Sequence, residues 1–462
     1  MVNRMEKIFK LKENGTTVRT EVIAGLTTFF TMAYIIFVNP DILGSEFGAG
    51  MNPGAVFIAT CIAAALGTIL TGLLSNYPFA QAPGMGLNAF FSFTVCGMMG
   101  YSWKAALAAV LISGLLFICI TVTGLRQIVV NAIPMALKRA ISAGIGLFIA
   151  LIGLTNAGIV TQGVGTVVSL GNFSSPIVLL SIFGLILVIA LLCFKVKGSL
   201  FIGIIATSVV GAVLQFGFNV QLGISTPGLT NNFSGAFRAF GETIGQCFSG
   251  FGELFSTGQG AGVMIASVFA VLIAFTLTDM FDTVGTLVGT AEKGGFLDEK
   301  GNLPRAGGAM LADAIATTTG AIIGTSTVTT YVESAAGISE GGRTGLTAIV
   351  TGILFIVSLI LAPVMGLIPG AATAPILIIV GIMMVSSLKD IKWGDLTEAI
   401  PCFVTVVMMP FAYSISDGIG MGFIFYVLVK LFTGKVKEIH PVLWIFSVVF
   451  IIRYILMGMG RI

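Results

Sequence analysis

The stretch FTLTDMFDTVGTLVG, residues 275–289, holds two carboxylates, Asp279 and Asp282, inside a long apolar run. Asp, Glu, Lys and Arg together make up 9% of the 462 residues, so acids at this place need a reason. A charged side chain at the centre of a bilayer costs roughly 3 kcal/mol even on lenient insertion scales, and acids kept there generally handle substrate or protons. On a helix, positions three apart lie on roughly one face. Two like charges in a dry site resist being ionised together, which suits a group that takes up and releases a proton. Thr278, Thr283 and Thr286 add hydroxyls, while Gly285 and Gly289 admit a close neighbour. The plainer alternative is helix packing, with both acids bonded to nearby backbone.

Two further polar groups lie in stretches that do not read as ordinary helix. FAQAPGMGLNAFFSF, residues 79–93, is broken by Pro83, Gly84 and Gly86 and carries Asn88. GTSTVTTYVESAAG, residues 324–337, opens with types that favour extended chain and carries Glu333. A short extended run leading into a helix aims free backbone N–H groups at whatever binds. Glu333 then lies in the first turn, as a ligand group or as a capping carboxylate. Asn88 either meets a ligand as donor and acceptor at once, or ties down the break in its own chain. Asp313, in MLADAIATTTGA, is open between structural pairing and a proton relay, and Gln81 reads as a turn cap. The set comprises carboxylates, an amide and backbone groups, with no basic residue. It suits a flat neutral ligand with several ring N–H donors, such as a nucleobase, and suits an anion poorly.

Other motifs carry less. Gly418, Gly420 and Gly422 in DGIGMGF follow no strand, so they read as helix-packing positions, not a nucleotide loop. The six cysteines form no C-x-x-C, so neither a disulfide nor a metal site is expected, and the single histidine, His440, lies beyond the main spans.

The elements that must hold these groups are membrane spans. The chain is 56% hydrophobic, with mean hydropathy +1.05. Its apolar blocks of about 20 residues each suffice to cross a bilayer as helix. The net charge of +3 is scattered through short connections, which gives no footprint for nucleic acid. The class is an all-α polytopic membrane protein. Fourteen candidate spans start near residues 20, 55, 84, 103, 136, 175, 198, 263, 307, 326, 343, 371, 395 and 416. With a cytoplasmic N-terminus, the inner connections hold Arg126, Lys138, Arg139, Lys195, Lys197, Lys293, Lys300, Arg305, Arg343, Lys389 and Lys392. The outer ones hold mostly Asp41, Glu46, Glu242, Glu253 and Asp417, which is the positive-inside bias. No small-residue cleavage site precedes the first span, so no cleaved signal peptide is expected. The tail HPVLWIFSVVFIIRYILMGMGRI is short and carries Arg453 in its body, which favours an in-plane amphipathic helix over a fifteenth span. Irregular backbone at membrane depth must be buried or line a cavity. The two broken spans, third and tenth, are seven apart. So are the fifth and twelfth, which both open on Ile-Pro at Ile133 and Ile368. Seven is odd, so the reading is a 7+7 inverted repeat.

Several stretches together resemble the nucleobase–cation symporter-2 family, in its AzgA-like branch of purine permeases. They are GTTVRTEVIAGLTTFFTMAYIIFVNP, APGMGLNAFF, MFDTVGTLVG, GTSTVTTYVESAAGISEGGRTGLTA and DLTEAIPCFVTVVMMPF, and the likeness covers nearly the whole chain. The resemblance implies a cytoplasmic N-terminus (1–19) and a core domain of spans one to four (20–125) and eight to eleven (263–368). It implies a gate domain of spans five to seven with an outer loop (126–262) and twelve to fourteen (369–433), then a tail (434–462). Spans three and ten would be part strand, part helix, with substrate between them facing span eight. The implied activity is proton-coupled uptake of hypoxanthine, guanine or adenine across the plasma membrane by an elevator-like shift. It is not an enzyme's activity, and the proton gradient, not a cofactor, supplies the energy.

Carried over by position, Asp282 and Glu333 contact the ring, with Tyr331 and Val332 beside Glu333. Asn88 belongs to the same site, with Phe90 and Phe91 as ring contacts. Thr286 stands where the wider family can carry a histidine. The proton carrier is therefore sought among Asp279, Asp282, Glu333, Asp313 and Thr286; Asp279 either replaces that histidine or tunes purine choice. Membrane lipid is the surrounding partner, and a homodimer through the gate domain is left open. The rival of the same fold is an anion transporter, which Glu333 opposes. A membrane aspartyl protease would need its aspartates on different helices and a G-x-G-D stretch that does not occur.

Overall fold

The computed structural model describes residues 2–46, 48–123, 132–163, 165–222, 233–255, 261–298 and 303–458. Arg126 and Lys300, two of the expected inner cations, lie outside them. In chain order the helices are α1 (Val2–Phe9), α2 (Val18–Met32), α3 (Ile35–Leu43), α4 (Pro53–Ser75), α5 (Met85–Ala89, prolonged by wider π-type turns to Met98), α6 (Trp103–Val122), α7 (Met135–Asn156), α8 (Pro176–Cys193), α9 (Ser199–Ala212), α10 (Phe233–Thr243) and α11 (Gln246–Leu254). They continue with α12 (Ala261–Gly294), α13 (Ala306–Ile323), α14 (Ser334–Ser339), α15 (Gly345–Val357), α16 (Gly370–Val385), α17 (Leu396–Phe411), α18 (Ile415–Phe432) and α19 (Pro441–Gly458). The short strands are β1 (Gln81–Pro83), β2 (Val160–Thr161), β3 (Ser169–Leu170) and β4 (Val328–Thr330).

Helix starts follow the capping residues. Thr17, Asn52, Ser102, Thr344, Asp395 and Ser414 each accept a backbone N–H of the helix they precede, which satisfies donors the first turn leaves open. Eleven helices among the described residues are long and apolar enough to cross a membrane. They match eleven of the fourteen expected stretches, and those near 84 and 395 form shorter apolar helices, Met85–Met98 and Leu396–Phe411. The stretch near 326 is β4 followed by the six-residue α14. In the connection after span seven, α10 packs on α4 and α11 on α6.

The two broken stretches meet. β1 pairs antiparallel with β4, Gln81 opposite Thr330, Ala82 opposite Thr329 and Pro83 opposite Val328. Around this ribbon the helices form two packing groups. In one, α4 packs on α3, α13 and α15, α2 on α14 and α15, and α6 on α12 and α13. In the other, α7 packs on α16 and α17, α8 on α9 and α16, and α17 on α18. Close approach depends on small residues: a Cβ on Gly345 would lie 2.0 Å from the carbonyl oxygen of Gly72 across the α4–α15 contact.

The tail packs back on the helix before it: α19 runs antiparallel along α18 as a helical hairpin. Lys430 pairs with Glu438 at one end (2.6 Å). Phe423 stacks on Phe446 (6.0 Å between centroids), a Cβ on Gly420 would meet the Phe450 ring, and Arg453 pairs with Asp417 at the far end. The arginine that argued against a span is buried, and the hydroxyl of Tyr454 also donates to the Asp417 carbonyl (3.1 Å). An internal partner removes the penalty for an apolar helix that carries a cation. The glycines of DGIGMGF are packing positions, as read: Gly418 and Gly422 lie against Met409 and Thr405 of α17, and Gly420 against α19.

Candidate functional site

The ribbon is held at its edges by two threonines. Thr68 of α4 accepts the Gln81 N–H (2.9 Å) and donates to the Gln81 carbonyl (2.9 Å). Thr317 of α13 accepts the Val328 N–H (3.1 Å), and its hydroxyl faces both the Val328 carbonyl (2.9 Å) and Asp279 Oδ2 (3.0 Å). Pro83, which has no N–H to offer a ladder, ends β1. Tyr331 straps the strands together: its N–H reaches the Ala80 carbonyl (2.9 Å) and its hydroxyl the Pro83 carbonyl (2.5 Å).

The aspartate pair divides. Asp279 is 1% exposed and turns to Thr317 on α13, behind β4. Asp282 is half-buried and is the electrostatic neighbour of Glu333, Tyr34 and Tyr331. The shared face expected from the spacing is thus split by β4: one acid supports the strand, the other lies with the groups beyond its end. Asp313 is buried and accepts from Thr283 (2.7 Å), which also bonds Thr329 of β4 (2.8 Å). Thr286, half-buried, lies one turn after Asp282.

Glu333 precedes α14 but makes no side-chain cap bond. Its Oε1 accepts the hydroxyl of Tyr34 at 2.6 Å. The expectation of free N–H groups here is corrected: the Ser334 and Ala335 N–H groups bond the Tyr331 (3.2 Å) and Val332 (3.0 Å) carbonyls, so the turn consumes the first donors of α14. Val332 is 52% exposed beside Glu333. Asn88 is fully buried and accepts from the hydroxyl of Ser326, joining the third stretch to the tenth. Phe90 and Phe91 are fully buried, and Phe90 sets its edge against Phe275 of α12 (4.8 Å).

The structure therefore brings together Asp282, Glu333, Tyr331 and Val332 at the end of β4. It sets Asp279 and Asp313 behind the strand, and Asn88 and the two phenylalanines in the packing of the third stretch. Ionised carboxylates only accept hydrogen bonds, so Asp282 and Glu333 offer themselves to N–H donors. Sequence reasoning missed Tyr34, which reads as one more core residue in an apolar window; its partner is 299 positions away. It also passed over Glu21. This buried acid accepts the N–H groups of Arg343 (2.9 Å), Thr344 (3.3 Å) and Thr347 (3.1 Å) and the Thr347 hydroxyl (2.6 Å) at the start of α15.

Comparison with known proteins shows the family and the fold. A model of a permease family, Xan_ur_permease, matches residues 19–421. The guanine/hypoxanthine permease PbuG of Bacillus subtilis is 44% identical over 457 residues, covering 98% of this chain and 99% of its own. The adenine permease AdeP of Escherichia coli is 42% identical over 451 residues, covering 98% and 96%. Among solved structures, the transmembrane domain of the cyanobacterial bicarbonate transporter BicA aligns with TM-score 0.60 at 14% identity, covering 87% of this chain and 96% of that one. The murine anion transporter Slc26a9 aligns with TM-score 0.60 at 11% identity, covering 90% and 68%. At such identities the likeness is one of fold. The chain belongs to this permease family, the nucleobase–cation symporter-2 family that its motifs resemble.

Proposed function

We propose that this protein takes up purine nucleobases across the plasma membrane, driven by protons. The observation that carries the reading is that Asp282 and Glu333 are electrostatic neighbours near the end of β4. Two acceptors converge there in a chain that matches adenine and guanine/hypoxanthine permeases over nearly its full length. A purine ring presents N–H donors that carboxylates accept. Tyr331 and Val332 complete the walls, and Asn88, Phe90 and Phe91 shape the site from behind. Asp282, Glu333 and, behind the strand, Asp279 and Asp313 are the groups that could carry the proton.

Transport proceeds as an elevator. The group built on α2, α4, α6, α12, α13 and α15 is the core that carries the substrate, and the group built on α7, α8, α9, α16, α17 and α18 is the gate. Fourteen spans form two inverted halves, with β1 and β4 as their crossing points and the N-terminus in the cytoplasm. An anion substrate shares the fold but would meet two carboxylates, a repulsion that disfavours it.

The test is uptake of labelled hypoxanthine, guanine and adenine by cells that lack their own purine transport, with and without a protonophore. Saturable entry of at least one purine, abolished by the protonophore, is expected. Entry of none sinks the substrate reading, and entry unchanged by the protonophore removes the coupling.

A further inference from the structure

We infer that Tyr34 is a positioning residue for Glu333: its hydroxyl fixes one carboxylate oxygen so that the other is presented to a ring N–H of the substrate. This rests on the substrate reading above. Tyr34 sits at the break between α2 and α3, is 1% exposed, and is locked among core side chains. Glu333 is the opposite case. It is half-buried, precedes a helix of six residues, and draws no capping bond from it. A long carboxylate side chain at such a place has several rotamers, and binding would have to order it at the expense of affinity. The Tyr34 hydroxyl, 2.6 Å from Oε1, removes that freedom before substrate arrives. A phenol has a single proton to donate, and Oε1 takes it. Oε2 is then left for the ligand.

The same span grips the other side of β4. Asn39, in α3, donates to Thr60 of α4 (2.7 Å) and to Thr325 just before β4 (2.9 Å). Tyr34 and Asn39 therefore hold residues 325–333 at both ends, from one rigid element. Their roles differ: Asn39 is fully buried against two hydroxyls, whereas Tyr34 touches a carboxylate of the site itself.

A double-mutant cycle separates positioning from plain support. Tyr34→Phe keeps the ring and deletes the hydroxyl. It should raise the KM for purine uptake roughly 5- to 20-fold, part of the roughly 10- to 150-fold that a hydrogen bond to a charged group represents, since this bond positions the carboxylate without touching substrate, with Vmax held within about twofold. In a Glu333→Gln background the same change should add less than about twofold, since the amide no longer offers the charge that Tyr34 orients. Asn39→Ala, the control, should lower Vmax and thermal stability and leave KM alone. An unchanged KM in Tyr34→Phe, or an effect that simply adds to that of Glu333→Gln, overturns the inference while wild-type uptake leaves the substrate reading intact. A wild-type protein that binds no purine overturns both.

Discussion

Asp282 and Asp279 differ by three positions and should differ sharply in what their loss costs. Asp282→Asn preserves volume and removes a charge from a half-buried group that lies with Glu333 beyond the end of β4. An N–H donated to a carboxylate contributes about 1.5–3 kcal/mol. Its loss corresponds to a roughly 10- to 150-fold weaker complex. The amide would also turn N–H groups toward a donor in one of its two orientations, which pushes the effect to the upper end. Asp279→Asn is a different experiment. The acid is 1% exposed, and its Oδ2 faces the Thr317 hydroxyl at 3.0 Å. The amide keeps an acceptor there, so the loss from this bond is its charge-assisted part, about 1 kcal/mol, felt as stability. KM should stay within roughly threefold of wild type. The assay is initial-rate uptake of each labelled purine over a concentration series, paired with equilibrium binding to purified protein. A larger rise in KM for Asp279→Asn than for Asp282→Asn would refute the division of the pair made here.

Two further outcomes follow from the packing. Glu21→Ala strips the acceptor from three backbone N–H groups and one hydroxyl at the start of α15, a loss of at least about 3 kcal/mol by the usual cost of orphaned buried donors. A clearly lowered thermal midpoint with unchanged KM is expected, and a midpoint within about a degree of wild type would contradict it. With α18 crossing the membrane, the α18–α19 hairpin would return residue 458 to the side opposite the Lys430–Glu438 pair. A phosphatase fused after residue 458 should be active outside the cell, and a fluorescent protein at that point that matures in the cytoplasm would restore the in-plane tail.

Much of the frame could be read from hydropathy and from two irregular stretches, because bilayer thickness fixes span length and non-helical backbone at depth needs a local cause. Pro83 and Gly84 supplied that cause for β1, and the β-branched run at 327–330 supplied it for β4. The direction of side chains was not legible. Asp279 and Asp282 share a helical face to first order, but whether a neighbour stands between them depends on a strand almost fifty residues on. Tyr34 gave no local signal at all, since what distinguishes it from Phe29 or Phe37 is a carboxylate at position 333. The tail hides a partner for a related reason: Arg453 looks costly in isolation, and the acid it pairs with, Asp417, is on the neighbouring helix.

The ribbon shows where symmetry ends and chemistry begins. A three-residue strand pairs along one edge and leaves the other unsatisfied, which buried backbone cannot tolerate. Thr68 and Thr317 solve this identically, each bonding both the N–H and the carbonyl of one strand residue, Gln81 on β1 and Val328 on β4. The pairing of Gln81 with Thr330 and of Pro83 with Val328 is preserved when the two strands are exchanged. Equivalent bonds at equivalent places support the inverted-repeat reading better than sequence likeness between the halves does. The equivalence stops at the side chains beyond. Thr317 also faces Asp279, Thr329 reaches Asp313 through Thr283, and Glu333 follows β4. On the other strand, Gly84 and Met85 follow Pro83, and Asn88 spends its oxygen on Ser326. On the inverted-repeat reading, one half contributes a neutral scaffold and the other the acids. A substrate held between them would be met by charge from the β4 side, where we propose that Tyr34 fixes that charge before it arrives.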